Sequence, residues 1–138
     1  MSWFTASDIS WIAVILSTVA GFVVGAAWYH ERVLGRVWRR LVGLTEQDLR
    51  DASPARFVAT GVVLFGTALV LNVLMVELSV LSVGGGALFG AFIALVFRVG
   101  NHIIHHGFEL RPPALTIVNG VHDVVALAAA GAVIGAFV

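Results

Sequence analysis

The chain has 138 residues, of which 59% are apolar and 12% are charged, and its mean hydropathy is +0.99. Soluble domains are about half apolar and about a quarter charged, so the composition indicates an integral membrane protein. Eight basic residues balance eight acidic ones, which argues against a nucleic-acid partner, and the absence of cysteine excludes disulfides and thiolate metal ligands. The partner expected from composition is the lipid bilayer.

The first apolar run extends from Ile9 to Tyr29 and has the roughly 20 residues that a bilayer-spanning helix requires. No basic region of a signal peptide precedes it, so we expect this segment to be retained. Trp28 and Tyr29 lie at its end, where amphipathic rings favour the membrane interface. Gly21 and Gly25 form a GxxxG pair, which permits close approach of another helix.

The segment from His30 to Leu44 is amphipathic. Apolar residues recur on one side of a helix and arginines fall mostly between them, which predicts a helix lying in the membrane surface. The residues expected at the membrane surface are Arg32, Arg36, Trp38, Arg39 and Arg40. The simplest interpretation is a topological anchor. Thr45 and Asp48 then predict a capping box that begins a short helix.

Three more spans are predicted at about residues 55–76, 86–106 and 114–136. Ser53-Pro54 and Pro112-Pro113 are helix start signals, and Gly84-Gly85-Gly86 predicts the turn into the third span. The predicted fold is therefore all-α: a polytopic membrane protein with four transmembrane helices in a single domain over residues 1–138. An interfacial helix would lie in the loop of residues 30–54, between the first and second spans.

The arginines predict the orientation of this bundle. Most of them fall between the first two spans, and Arg111 falls between the last two. By the positive-inside rule both loops are cytoplasmic, and the N- and C-termini are outside.

The last two spans form an antiparallel hairpin whose register can be predicted. If Gly86 lies level with Gly135, Gly90 lies level with Gly131, and the same register brings Arg98 near Asp123. An unpaired carboxylate at that depth costs at least roughly 2.5 to 3.5 kcal/mol, so we expect an ion pair between these two side chains. Three GxxxG pairs exceed what one hairpin uses, which would fit a homodimer.

The remaining polar residues of these spans predict a polar core. Spacings of three and four residues place its members on facing helix sides. They are Arg98, Asn101, His102, Asn119, His122 and Asp123, with His105 on the same predicted face. Such residues can simply hold helices together. They can equally form a proton or small-solute pathway, because histidine gains and loses a proton near neutral pH and intramembrane ionisable residues often mark such pathways.

Two further interpretations of the histidines stay open. A metal site could draw on His102, His105, His106 and His122, with or without Asp123, because His-x-x-His presents two imidazoles on one side of a helix. A haem could be held by two histidines on facing helices. Nothing beyond the histidines supports either group, so no cofactor is expected. No nucleophile motif or phosphate loop is present, and we expect no enzymatic activity.

Gly25-Ala26-Ala27-Trp28-Tyr29, followed by Gly35-Arg36-Val37-Trp38 and Gly43-Leu44-Thr45, resembles the first-helix signature of an uncharacterised family of small four-helix bacterial membrane proteins. Asn119-x-x-His122 resembles that family's closing segment. The resemblance covers nearly the whole chain. It implies the four-helix fold, its topology and a bacterial inner membrane. The family has no established activity, so the resemblance assigns no catalytic residue.

Two classes of function remain. The leading hypothesis is a small transporter-like or sensor-like protein with its polar cluster in the cytoplasmic half. The alternative is a structural or partner-binding membrane subunit without transport activity. A closed, fully paired cluster would favour the subunit, and an open one would favour the leading hypothesis.

Overall fold

The computed structural model describes residues 8–138. This part of the chain is helical and has no strand, and four of its helices are long and apolar enough to cross a membrane. They are α1 (Trp11–Trp28), α4 (Ala55–Glu77), α5 (Val83–Phe108) and α6 (Pro113–Gly135). The predicted all-α fold with four spans is confirmed.

Shorter helices connect α1 to α4. A π-helical turn, Glu31–Gly35, leads into α2 (Arg36–Val42), and α3 is Glu46–Asp51. Gly43 ends α2 with φ 77°, a left-handed conformation that glycine adopts without a side-chain clash. The amphipathic segment is therefore helical as predicted, although its first turn is wider than an α-helix.

The predicted capping box at Thr45 is confirmed. The Thr45 hydroxyl accepts a hydrogen bond from the Asp48 amide at 3.1 Å, and the Asp48 carboxylate accepts one from the Thr45 amide at 2.7 Å. Hydrogen bonds from the Thr45 side chain and backbone also hold the pKa of Asp48 below its usual value. The connection between α2 and α3 is therefore fixed by local hydrogen bonds.

The charged residues of this loop pair with each other. Arg39 bonds to Glu31 and, at 3.3 Å, to Glu46. Trp38 packs edge-on against the ring of Tyr29, with centroids 5.4 Å apart. The remaining residues expected at the membrane surface, Arg32, Arg36 and Arg40, are exposed or partly exposed. Thus α2 is tied to the end of α1 through an aromatic contact.

The central helix of the bundle is α6. It contains nine buried residues and packs against α1, α4 and α5. The main apolar core forms where Leu127 and Ile134 meet Leu71 and Met75 of α4. The outer faces of the other helices expose large apolar side chains, as expected where lipid surrounds a helix.

The start of α5 differs from the prediction. The triple glycine does not form the turn: it lies in the first helical turn, and α5 begins at Val83. Ser82 caps this helix by accepting a hydrogen bond from the Gly85 amide at 3.1 Å. Because Ser82 begins the helix, the glycines are not needed for a turn, and Gly86 packs against α6 instead.

Three glycines bring the α5 and α6 backbones together. A Cβ added at Gly86 would overlap the carbonyl oxygen of Gly131, one at Gly90 would overlap that of Leu127, and one at Gly135 would overlap that of Ser82. The predicted level pairs, Gly86 with Gly135 and Gly90 with Gly131, are therefore wrong by one helical turn. Close backbone packing nevertheless occurs here.

A π-helical segment of α5, Ala94–Val99, accounts for the direction of this shift. Each of its hydrogen bonds spans five residues, so the segment is wider and shorter than an α-helix of equal residue number. The residues of α5 that precede this segment consequently lie nearer to the hairpin loop. Gly90 therefore lies against the Leu127 carbonyl, and its amide nitrogen is only a diagonal neighbour of Gly131, 3.4 Å from a Cβ built there. The prediction assumed a regular α-helix throughout.

The first glycine pair behaves differently. A Cβ at Gly21 would meet the side chain of Leu64 at 2.9 Å, and one at Gly25 would lie 3.6 Å from Nε2 of His122. Neither glycine touches the backbone of a neighbouring helix. The space at Gly25 instead adjoins a polar side chain of α6.

Candidate functional site

The centre of the polar cluster is Asp123, in the middle of α6. Its side chain is buried, and its two oxygens take separate partners. Oδ2 lies 2.9 Å from Nε2 of His102, on α5, and Oδ1 lies 3.0 Å from Nδ1 of His122. An ionised carboxylate only accepts hydrogen bonds, so both imidazoles donate to it. Asp123 therefore links two histidines from two helices.

A third histidine extends this chain toward the hairpin loop. The ring of His106 stacks on that of His102, with centroids 5.0 Å apart and planes 29° apart. Nδ1 of His106 lies 2.8 Å from the hydroxyl of Thr116. Because His106 is near the end of α5 and partly exposed, the chain reaches from the loop to the buried carboxylate.

Residues of α1 complete the other side of the cluster. The Tyr29 hydroxyl donates to Oδ1 of Asn119 at 2.9 Å, and the Trp28 indole donates to the carbonyl of Val118 at 3.1 Å. The Tyr29 ring lies 4.9 Å from that of His122. We predicted interfacial roles for both aromatic residues. Each ring carries a hydrogen-bond donor, an indole N–H or a phenolic O–H, that can reach a neighbouring helix. These donors are the feature of the sequence that could have indicated a role inside the bundle.

The expected ion pair between Arg98 and Asp123 does not form within the described residues. The Arg98 guanidinium donates to the hydroxyl of Thr67, on α4, at 2.9 Å. Arg98 lies within the π-helical segment, which changes the direction of its side chain relative to a regular helix. The counterparts of Asp123 are imidazoles, and Arg98 joins α5 to α4.

The predicted inner face of α5 is also displaced. Asn101 and His105 are exposed, whereas His102 and His106 are partly buried and make the cluster's contacts. The structure thus places His102 in the cluster as predicted, leaves Asn101 and His105 outside it, and adds His106. The preceding π-helical segment rotates the helix and accounts for this change.

The histidines do not form a metal site among residues 8–138. No group of three histidine, aspartate or glutamate side chains in this range is arranged to hold a metal ion. His102 and His122 direct ring nitrogens at the two oxygens of one carboxylate, and Asp123 lies between them. In this arrangement His102 and His122 also do not face each other across an open pocket that could hold a haem, because both rings bond to Asp123.

A cleft of about 700 Å³ lies between α1 and α4 and reaches the cluster. Its walls are almost wholly apolar, and its polar lining comes from α4, α5, α6 and the end of α1. The lining residues used below are Gly25, Tyr29, Thr60, Arg98 and His122. No carboxylate lines this cleft within the described residues, so its one fixed charge is that of Arg98.

His122 carries an unsatisfied polar atom beside this cleft. Its Nε2 is buried and has no hydrogen-bond partner among the described residues. The atom faces the space that Gly25 leaves in α1. A buried polar atom without a partner costs about 1–3 kcal/mol, so a molecule that reached Nε2 would gain a favourable contact.

The cluster contains groups that can exchange protons in general. Imidazole can accept a proton at one nitrogen and release one from the other, and a carboxylate can receive it in between. His106 also lines a second cleft of about 620 Å³, formed by α5 and α6 near Arg111. The cluster therefore has one histidine, His122, at the first cleft and another, His106, at the second.

A family model described as "Protein of unknown function (DUF1761)" matches residues 12–135 of the chain. No curated protein and no solved structure matches it. The matched region contains every residue of the polar cluster and the four spans, apart from Trp11 at the start of α1. The chain is a member of the DUF1761 family.

Proposed function

We propose that the chain is a small transporter-like or sensor-like membrane protein that binds a molecule in the cleft between α1 and α4. Protons pass between that molecule and the cytoplasmic end of the bundle. The hydrogen-bonded part of the relay consists of His122, Asp123 and His102, and His106 lies between it and the hairpin loop. The observation that supports the relay most directly is the pair of hydrogen bonds, 3.0 Å and 2.9 Å, that joins His122 to Asp123 and Asp123 to His102. The ring of His106 stacks on that of His102 without a hydrogen bond between them.

The unpartnered Nε2 of His122 favours this function over a purely structural subunit. Structural contacts work best when every buried polar atom is satisfied. Asp123 is fully paired, but the relay ends at a nitrogen that has no protein partner and borders a cleft. Nδ2 of Asn72 is also buried without a partner among the described residues, but Asn72 does not line this cleft, so it is His122 that offers an unsatisfied atom to a molecule bound there.

Among residues 8–138 no ionisable side chain continues this series of hydrogen bonds toward the other end of the bundle. There, Ser17 donates to the carbonyl of Ala130, and Oδ1 of Asn72 accepts from the amide of Ser10. Hydroxyl and amide side chains of this kind do not titrate near neutral pH. We therefore place proton exchange on the loop side only, in a bacterial inner membrane with the α1–α4 loop in the cytoplasm and both termini outside.

Trp28 offers a direct test, because its ring lies 6.3 Å from that of His122. In a variant whose other tryptophans are replaced by phenylalanine, protonation of His122 will quench Trp28 fluorescence. The protein is reconstituted in vesicles, and a Gln47→Cys copy is labelled with an impermeant thiol reagent to establish orientation. A rapid pH step on the loop side should change the fluorescence, and a step on the opposite side should not.

Matched variants identify the path. Asp123→Asn and His102→Gln should slow the loop-side response at least tenfold. His105→Gln, an exposed histidine on the same helix, should leave it unchanged. Equal responses from both sides, or a normal response in Asp123→Asn, would contradict the relay.

A further inference from the structure

We infer that the ligand of the α1–α4 cleft is a lipophilic weak acid: an apolar body with one carboxylic acid group that reaches Arg98 and His122. This inference rests on the proposed proton relay and names its substrate class. Three features of the cleft point to it, namely its charge, the space at Gly25 and the apolar walls.

The charge of the cleft favours an anion. Arg98 donates one hydrogen bond to Thr67, and the described residues form no salt bridge with it. Asp123 interacts with this guanidinium only through space. Among the described residues no carboxylate lines the cleft, so a ligand carboxylate would be in direct contact with Arg98, which binds carboxylates through two parallel hydrogen bonds.

The space at Gly25 gives the ligand's oxygen a route to His122. A Cβ at this position would lie 3.6 Å from Nε2, so glycine keeps a methyl group out of the space in front of this atom. A ligand oxygen at hydrogen-bond distance from the buried Nε2 would have to enter beside Gly25, and a side chain on α1 at this position would obstruct it.

The tautomer of His122 selects a ligand that can donate a proton. Because Nδ1 donates to Asp123, Nε2 of the neutral ring carries a lone pair. A neutral acid satisfies it: the acid's O–H bond breaks, an N–H bond forms at Nε2, and the resulting carboxylate stays beside Arg98. The imidazolium is held by Asp123, so the net charge of the site does not change. Release of the Nδ1 proton to Asp123 then leaves a neutral ring that carries its proton on Nε2. The proton on Asp123 passes to His102 when that ring is in the tautomer whose Nε2 is unprotonated.

The groups that face His122 are consistent with this step. Tyr29 faces it from α1, Asp123 from its own helix, and Arg98 and His102 from α5. The lining from α4 carries no charged side chain, and its polar member is Thr60. The apolar walls between α1 and α4 suit the hydrocarbon part of an acid that arrives from the lipid.

Quenching of Trp28 by brominated ligands tests this class. The Trp28-only protein in lipid nanodiscs is titrated with a monocarboxylic acid that carries bromine on its alkyl chain, and with the alcohol of equal length. With concentrations expressed per lipid, the acid should bind at least tenfold more tightly than the alcohol. Arg98→Gln should remove that preference, whereas Arg98→Lys should keep most of it.

Gly25→Ala is a variant with an unstrained fold, because its Cβ meets His122 at an ordinary contact distance. It should weaken acid binding about tenfold, and Gly66→Ala, whose Cβ meets open space, should not. Equal binding of acid and alcohol, or unchanged acid binding in Gly25→Ala, would overturn the inference. If the alcohol binds as well as the acid while Trp28 keeps its one-sided response to pH, the relay stands and the ligand class is wrong.

Discussion

Asp123 shows how one buried charge is accommodated in this bundle. Its carboxylate receives hydrogen bonds from imidazoles of α5 and α6 instead of a guanidinium. Imidazoles can exchange protons with a carboxylate near neutral pH, which a guanidinium cannot, because arginine stays protonated. This choice of partner is what allows us to propose that Asp123 takes part in proton transfer and does not only hold helices together.

A double-mutant cycle measures this pairing. Asp123→Asn and His102→Gln should each reduce the free energy of unfolding by about 1.5–3 kcal/mol, because each removes a hydrogen bond to a charged group. The double variant should lose less than the sum, with a coupling of at least about 1 kcal/mol. Reversible unfolding in mixed micelles provides the measurement, with His105→Gln as the neutral control.

The same cycle with Arg98→Gln distinguishes the observed pairing from the one expected at first. Arg98 bonds to Thr67, so its coupling to Asp123 should be smaller than that of His102. A larger coupling for Arg98 would mean that the ion pair forms after all.

At this scale the sequence identifies most members of the site but not their partners. Polar residues inside apolar spans are visible by type, and His102, Asn119, His122 and Asp123 all belong to the cluster. Tyr29 was missed because an aromatic residue at a span end is typical of the membrane interface. Its hydroxyl reaches Asn119 because α1 packs against α6, and this tertiary contact cannot be seen in the local sequence.

At the scale of elements, the π-helical segment Ala94–Val99 decides the geometry of α5. It shifts the glycine register by one turn, turns Arg98 to α4 and moves the inner face to His102 and His106. Periodicity analysis assumes 3.6 residues per turn, so every position beyond such a segment is predicted with the wrong rotation. The helices themselves could be predicted, because apolar length and start signals are local properties.

Glycine substitutions test the packing of α5 on α6. Gly131→Ala should lower the free energy of unfolding by about 1–3 kcal/mol, because its Cβ would overlap the carbonyl oxygen of Gly86. Gly66→Ala on α4 meets open space and should be neutral or stabilising by up to about 1 kcal/mol, since alanine favours a helix. Equal melting of the two variants would show that the helices are further apart at Gly131.

At the scale of the whole molecule, the tight and loose parts of the bundle have different uses. The α5–α6 hairpin packs backbone to backbone through glycines and holds the relay residues at fixed distances. Between α1 and α4 the bundle instead leaves the large cleft, with Arg98 and His122 at its inner end. We propose that this rigid cluster beside an open cleft serves proton-linked binding.

A homodimer stays a proposal, which cross-linking in lipid would test.

The most direct measurement of the account is a structure in lipid nanodiscs with the brominated carboxylic acid present. It should show an oxygen atom of the acid within hydrogen-bond distance of Nε2 of His122, in the space at Gly25, with bromine density between α1 and α4. Arg98 should contact the acid's carboxylate. If Nε2 is bonded to a protein side chain and the cleft is filled by neighbouring side chains, the cluster is closed and the account is wrong.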